Sequence, residues 1–82
     1  MLLMDRVNLM APEWSHVVST TDDIAELNAL RIRVGAPLPA LQHKGKHPHL
    51  DLKLEPRERA LVDPEVRVFA TTREMLKYLH RS

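Results

Sequence analysis

The spacing of apolar residues changes several times along the chain, and each change marks an element. Leu2 to Met10 (LLMDRVNLM) is apolar with polar residues between and predicts a first strand, which Pro12 stops because it has no amide to give a ladder. Trp14 to Ser19 reads as a second short strand. Thr20 or Thr21 then offers a helix cap, and Asp22 and Asp23 suit the positive end of a helix dipole. Ile24, Leu27, Leu30, Arg31 and Val34 follow a 3/4 spacing, which predicts one buried stripe with Arg31 at its margin. Gly35 is the natural stop, with Pro37 and Pro39 just beyond.

Residues 36–48 read as a loop rich in proline and histidine. From His49 to Glu55 the pattern alternates strictly, so Leu50, Leu52 and Leu54 share one face of an expected strand. Pro56 suits the first position of a short helix through Val62, ended by Asp63-Pro64. Val66 to Ala70 predicts a last strand, and Thr71-Thr-Arg-Glu74 a capping box for a final helix buried through Met75, Leu76 and Leu79. Val17–Ile24 and Val68–Met75 echo each other as strand, threonine pair, acidic cap and helix start. Two short strand-to-helix units reach such a pattern readily without duplication. Strands alternating with helices predict a single α/β domain over 1–82: a small, single-layer, largely parallel sheet of three to four short strands with two to three helices.

Composition narrows the chemistry. The 82 residues allow one modest core. A content of 44% hydrophobic and 28% charged residues excludes a disordered tail. With no cysteine, disulfides, thiolate metal sites and cysteine nucleophiles are excluded. No apolar run approaches the roughly 18 residues of a membrane span, and the apolar start is too short for a signal peptide, so the expected setting is the cytoplasm and no membrane partner. A net charge of +1 argues against nucleic-acid binding by bulk charge. The charge is uneven, however: residues 1–41 carry three basic and five acidic side chains, and residues 42–82 carry nine and six. The second half leans toward anions.

Four groups of residues carry candidate chemistry. His49 and Asp51 stand two apart on an expected strand and so point to the same side, where the carboxylate can orient the imidazole as a base or share a metal. The segment from Gln42 to His49 holds His43 and His47 beside Lys44, Gly45 and Lys46. Clustered histidines suit a divalent metal, but the lysines raise the cost of a cation, so phosphate fits this segment better. Trp14 and His16 flank Ser15; neighbours on a strand face opposite ways, so Ser15 and His16 cannot form a nucleophile–base pair. Arg57 and Arg59 begin a helix, where a guanidinium adds bidentate phosphate geometry to the helix N-terminus. No P-loop, G-x-G-x-x-G, G-x-S-x-G or H-E-x-x-H motif is present, and no cofactor is called for.

Asp5, Trp14-Ser15-His16, Glu26-Leu27-Asn28-Ala29, Gly35, Gln42, His49-x-Asp51 and Arg59-Ala60, in that order, resemble the pattern of domain-of-unknown-function family 4031, short proteins of bacteria and their phages. Leu50 stands where that family often has tyrosine, Arg6 where a second aspartate is common, and Asn28 where a histidine is common. The resemblance implies that His16, His49, Asp51 and Arg59 share one site; it implies no reaction, since the family has no assigned activity.

Two classes of function follow. In the first, the protein binds a phosphate-bearing small molecule or nucleotide in a pocket lined by His16, His49 and Asp51, with Trp14, Gln42, His43, His47, Arg57 or Arg59 contacting the ligand. As a phosphoester hydrolase it would use His49, oriented by Asp51, as base and His16 as acid, both workable near the ordinary imidazole pKa of about 6.5. In the second, it is a protein-interaction module, such as a phage-encoded inhibitor that acts by occupying a partner. A homodimer is compatible with so small a core, and no residue marks its interface.

Overall fold

The structure, a computed structural model, describes residues 1–43 and 47–81. In chain order it contains β1 (Leu2–Val7), β2 (Ser15–Ser19), α1 (Ile24–Val34), a 3-10 turn (Leu38–Ala40), β3 (Leu41–Gln42), β4 (His49–Leu52), α2 (Leu54–Leu61), β5 (Val66–Thr71) and α3 (Thr72–Arg81). The five strands form one mixed sheet in the order β3-β4-β2-β1-β5.

This corrects the expected sheet of three to four largely parallel strands. Among the described residues only β1 and β5 run parallel; β1–β2, β2–β4 and β3–β4 are antiparallel. The reason is connection length. Residues 8–14 between β1 and β2 are too few for a crossover, which needs a dozen or more, so the chain must fold back as a hairpin. The short strand β3 lies inside the segment expected to be all loop, where Leu41 pairs with Leu50 and Gln42 with His49.

Helices cover both faces of the sheet. On one face Leu2, Met4, Val17, Leu50 and Leu52 pack against Leu27, Leu30 and Val34 of α1 and Ala60 of α2. On the other, Leu3 and Val18 pack against Met75 and Leu79 of α3, with Phe69 and Tyr78 at the edge. Each fully buried leucine removes enough apolar surface to contribute about 1.5–3 kcal/mol.

Local signals explain most boundaries. Gly35 ends α1 in the left-handed region at φ 76, where its amide and that of Ala36 reach back to the last carbonyls of the helix. The cap at the other end is Asp23, whose carboxylate accepts from the Glu26 amide at 3.2 Å, rather than either expected threonine. The turn before it is instead tied by the Ser19 hydroxyl, which accepts from the amides of Thr21 and Asp23. Thr71 caps α3 as the capping box predicts, its hydroxyl accepting from the Glu74 amide at 3.2 Å.

The alternating strand stops early. The chain turns at Lys53 into α2, so Leu54 does not join Leu50 and Leu52 in the core but stands exposed at φ 56. Pro56 falls within the first turn of α2, where its missing amide costs no hydrogen bond. Ile24 and Leu76 lie at the flanks of their helices and remain more than a third exposed, unlike the fully covered Leu27 and Met75.

Candidate functional site

Strand parity decides where the chemistry stands. With Leu50 and Leu52 committed to the α1 side, His49 and Asp51 must face the other way, and so must His16, two residues before the Val18 that packs under α3. Register then aligns them: His16 pairs with Asp51 and Val18 with His49 across β2 and β4. Asp5 comes one residue after the Met4–Val17 pair and so faces His16 from β1. Across three adjacent strands, Asp5, His16 and Asp51 form one polar row, with His49 and Gln42 in the next.

Asp5 is the anchor of that row. Its side chain is fully buried, and its two oxygens are occupied by donors from two elements. Oδ1 accepts the His16 amide at 2.6 Å; Oδ2 accepts His16 Nδ1 at 2.9 Å and the hydroxyl of Thr72, the first residue of α3. Burial alone would push the Asp5 carboxyl up, but the hydrogen bonds from the His16 ring, from Thr72 and from the His16 amide, with the attraction of the imidazolium, hold it below its ordinary value. The same bond to Asp5 raises the His16 pKa against the opposing effect of desolvation, helped by the negative charges of Asp5 and Asp51. With Nδ1 tied to Asp5, Nε2 is the His16 atom that gains or gives up a proton, and it lies 3.8 Å from Asp51 Oδ1.

His49 completes the group. Its Nδ1 donates to the carbonyl of His47 at 3.2 Å, its Nε2 lies 3.5 Å from Asp51 Oδ2, and its ring stands edge-on to His16 with centroids 5.9 Å apart. Asp51 therefore sits between two imidazoles. Among the described residues no three histidine, aspartate or glutamate side chains converge closely enough to hold a metal ion.

Beside this row lies a cleft of about 420 Å³, within the range of small-molecule sites. His16, Gln42, Asp51 and Asn8 supply its polar wall, and Trp14 with Pro37, Pro39 and Ala40 an apolar one. Gln42 is braced by its amide, which donates to the carbonyl of Pro39 at 2.8 Å. At the rim the Lys53 ammonium is held 4.7 Å from the centre of the Trp14 ring, a cation–π contact that fixes a positive charge at the mouth.

The other sequence candidates are placed elsewhere. Arg57 is committed to architecture: it donates to the Ser15 hydroxyl at 2.8 Å, to the carbonyl of Arg6 and to Glu58, which ties α2 to the start of β2 and the end of β1. Ser15 is buried on the α1 and α2 side of the sheet, the face opposite His16. Arg59 pairs with Glu55 at 2.7 Å and reaches the carbonyl of Val34 beside Gly35, so its guanidinium is engaged at the end of α1. His47 bonds Asp22 at 2.8 Å, and His43 stands exposed just after β3. Lys44, Gly45 and Lys46 lie outside the described residues.

Reading from residue type missed Asp5 as the orienting group, Thr72 as its second donor and Lys53 as the cation at the mouth. A signal for Asp5 existed: a carboxylate inside the apolar run Leu2-Leu3-Met4 is too costly to bury unless it is paired. No family model, curated protein or solved structure matches the chain.

Proposed function

We propose that the protein binds a phosphate-bearing small molecule of nucleotide type in the cleft beside β2 and β4, and that His16 is its proton-exchanging group. The observation that carries this reading is the grip of buried Asp5 on His16 Nδ1, which turns Nε2 to the polar wall next to Asp51. A buried carboxylate that orients one imidazole nitrogen and leaves the other facing a cleft is the arrangement general acid–base chemistry requires. The apolar wall at Trp14 and the prolines suits a planar ring, and the Lys53 ammonium with the His16 imidazole suits the anionic end. Hydrolysis would run through His16, oriented by Asp5, in place of the His49–Asp51 base expected from spacing, because the Asp5 contact is shorter and fully buried. A kinship with domain-of-unknown-function family 4031 rests on the order of Trp14-Ser15-His16 and His49-x-Asp51 along the chain.

The test is a thermal-shift screen with mono-, di- and cyclic nucleotides, sugar phosphates and inorganic phosphate. A ligand at a hundred times its Kd adds roughly 2.7 kcal/mol, and each kcal/mol moves the midpoint of so small a domain by about 4–8 °C. The expected result is a shift of about 10 °C or more for at least one nucleotide, lost in His16→Asn and Asp51→Asn. A flat panel, or a shift that both variants keep, overturns the reading.

A further inference from the structure

The β1–β2 loop and α3 enclose a second groove, open and about 810 Å³ in volume, which shares only Asn8 with the cleft. Its apolar lining is uncovered: Leu9 is 82% exposed, Met10 94% and Leu76 38%. Its wall is cationic. Arg73, Lys77 and Arg81 follow one another at four-residue intervals along α3, and His80 lies between them and Leu76. Among the described residues no acidic one lines the groove, and none of these three cations makes an ion pair.

Amphipathic patterning explains only half of this helix. Met75 and Leu79 bury one stripe against Leu3 and Val18. The flank that runs from Leu76 to Arg81 is left exposed, Leu76 by more than a third, and the chain places two large apolar side chains, Leu9 and Met10, on the facing loop. Exposed apolar side chains rimmed by like charges mark a docking surface.

We propose that this groove docks an acidic amphipathic helix of a partner protein. Cations one helical turn apart, about 6 Å, match carboxylates spaced one turn apart on a helix laid alongside. The exposed apolar lining takes the i and i+4 anchors of such a helix, as in other helix-in-groove interactions. Charge fixes the sign of the partner, and concavity fixes its shape. A nucleic-acid duplex offers nothing to bury Leu9 and Met10, and a flat lipid surface does not fill a groove. The proposal is independent of the cleft, since it uses none of the imidazole row.

The experiment is a selection of displayed random peptides of roughly 16 residues on the immobilised full chain, with counter-selection on a variant carrying Arg73→Glu, Lys77→Glu and Arg81→Glu. Melting temperatures establish that the variant folds, and Lys77→Glu alone replaces it if it does not. The expected winners are acidic, with apolar residues three or four apart. By fluorescence anisotropy they bind about tenfold or more weakly to the charge-reversed chain, the size expected when several rim charges are inverted, and more weakly to Leu76→Ser. Their affinity falls as salt rises. No enrichment over the charge-reversed chain, or winners that are neutral or basic, overturns the proposal. So does tighter binding of phosphatidylglycerol vesicles or of a DNA duplex to the same face.

Discussion

Along β1 and β2 one face of the sheet changes character within two residues. Leu3 and Val18 lie under Met75 and Leu79 of α3 and make a closed apolar layer, whereas Asp5 and His16, next in line on the same strands, begin an open polar surface that continues through Asp51 and His49. The alternation that generates both is identical. What differs is cover: α3 lies over β1, β5 and the Val18 position of β2, whereas the partly exposed His16, Asp51 and His49 lie beyond it. A half-covered face therefore has two sets of rules. Under the helix, apolar side chains stabilise by leaving water; beyond it, polar side chains survive because water and one another satisfy them. Asp5 stands on the seam, buried like the first group and charged like the second, and it is tolerated because three donors meet its two oxygens.

Substitutions can break this contrast in graded steps. The largest effect belongs to the covered half. Leu3→Ala empties a fully buried position and is expected to cost about 2–5 kcal/mol by urea denaturation, a large share of the roughly 4–12 kcal/mol available to so small a domain. A loss under about 1 kcal/mol would mean that α3 does not pack as described.

At the seam, Asp5→Asn keeps the shape and removes the charge. The expected loss is about 1–3 kcal/mol, and the His16 pKa should fall from its raised value, as read by NMR titration of the imidazole. An unchanged His16 titration would show that Asp5 does not control it. Thr72→Val removes one of the donors to Asp5 and is expected to cost about 0.5–1.5 kcal/mol, with the His16 titration moving less than in Asp5→Asn.

The same seam sets a pH dependence. Asp5 has a lowered pKa in the folded state, so its share of stability is present above the unfolded carboxylate value and is lost as pH falls through the folded value. His16 has a raised pKa, so its share is complete below the unfolded imidazole value and is lost as pH rises through the folded one. The pair's contribution should therefore be greatest between about pH 4 and pH 6.5 and decline on both sides. The stability difference between the wild-type chain and Asp5→Asn, measured at steps of pH, checks this; a flat difference curve would remove the ion pair from the account.

The smallest structural effect belongs to the open half. His49→Ala, on a side chain about a quarter exposed, should leave stability within about 0.5 kcal/mol while it reduces any nucleotide-dependent thermal shift through the loss of its contacts with Asp51 and His16. A large loss of stability would move His49 from the site to the scaffold.

Which of these features could be read before folding depends on the range of the interactions that make them. The course of α1 from its 3/4 spacing to the stop at Gly35, the Thr71 cap of α3 and the shared side of His49 and Asp51 all rest on contacts within a few residues, and the sequence alone determined them. The row that joins Asp5, His16 and Asp51 could not be read that way, because it depends on which strands become neighbours and in which direction. That choice is made by connection lengths and by the need to cover two apolar faces at once, and it turned an expected parallel sheet into a mixed one. Arg57 shows the same limit from the other side. Its residue type suited an anion, but folding placed the Ser15 hydroxyl and the Arg6 carbonyl within its reach and spent its donors on the scaffold. Tertiary structure alone decided which polar groups would be consumed by one another and which would face the cleft, because a hydrogen-bonding group takes whatever partner the packed chain brings to it.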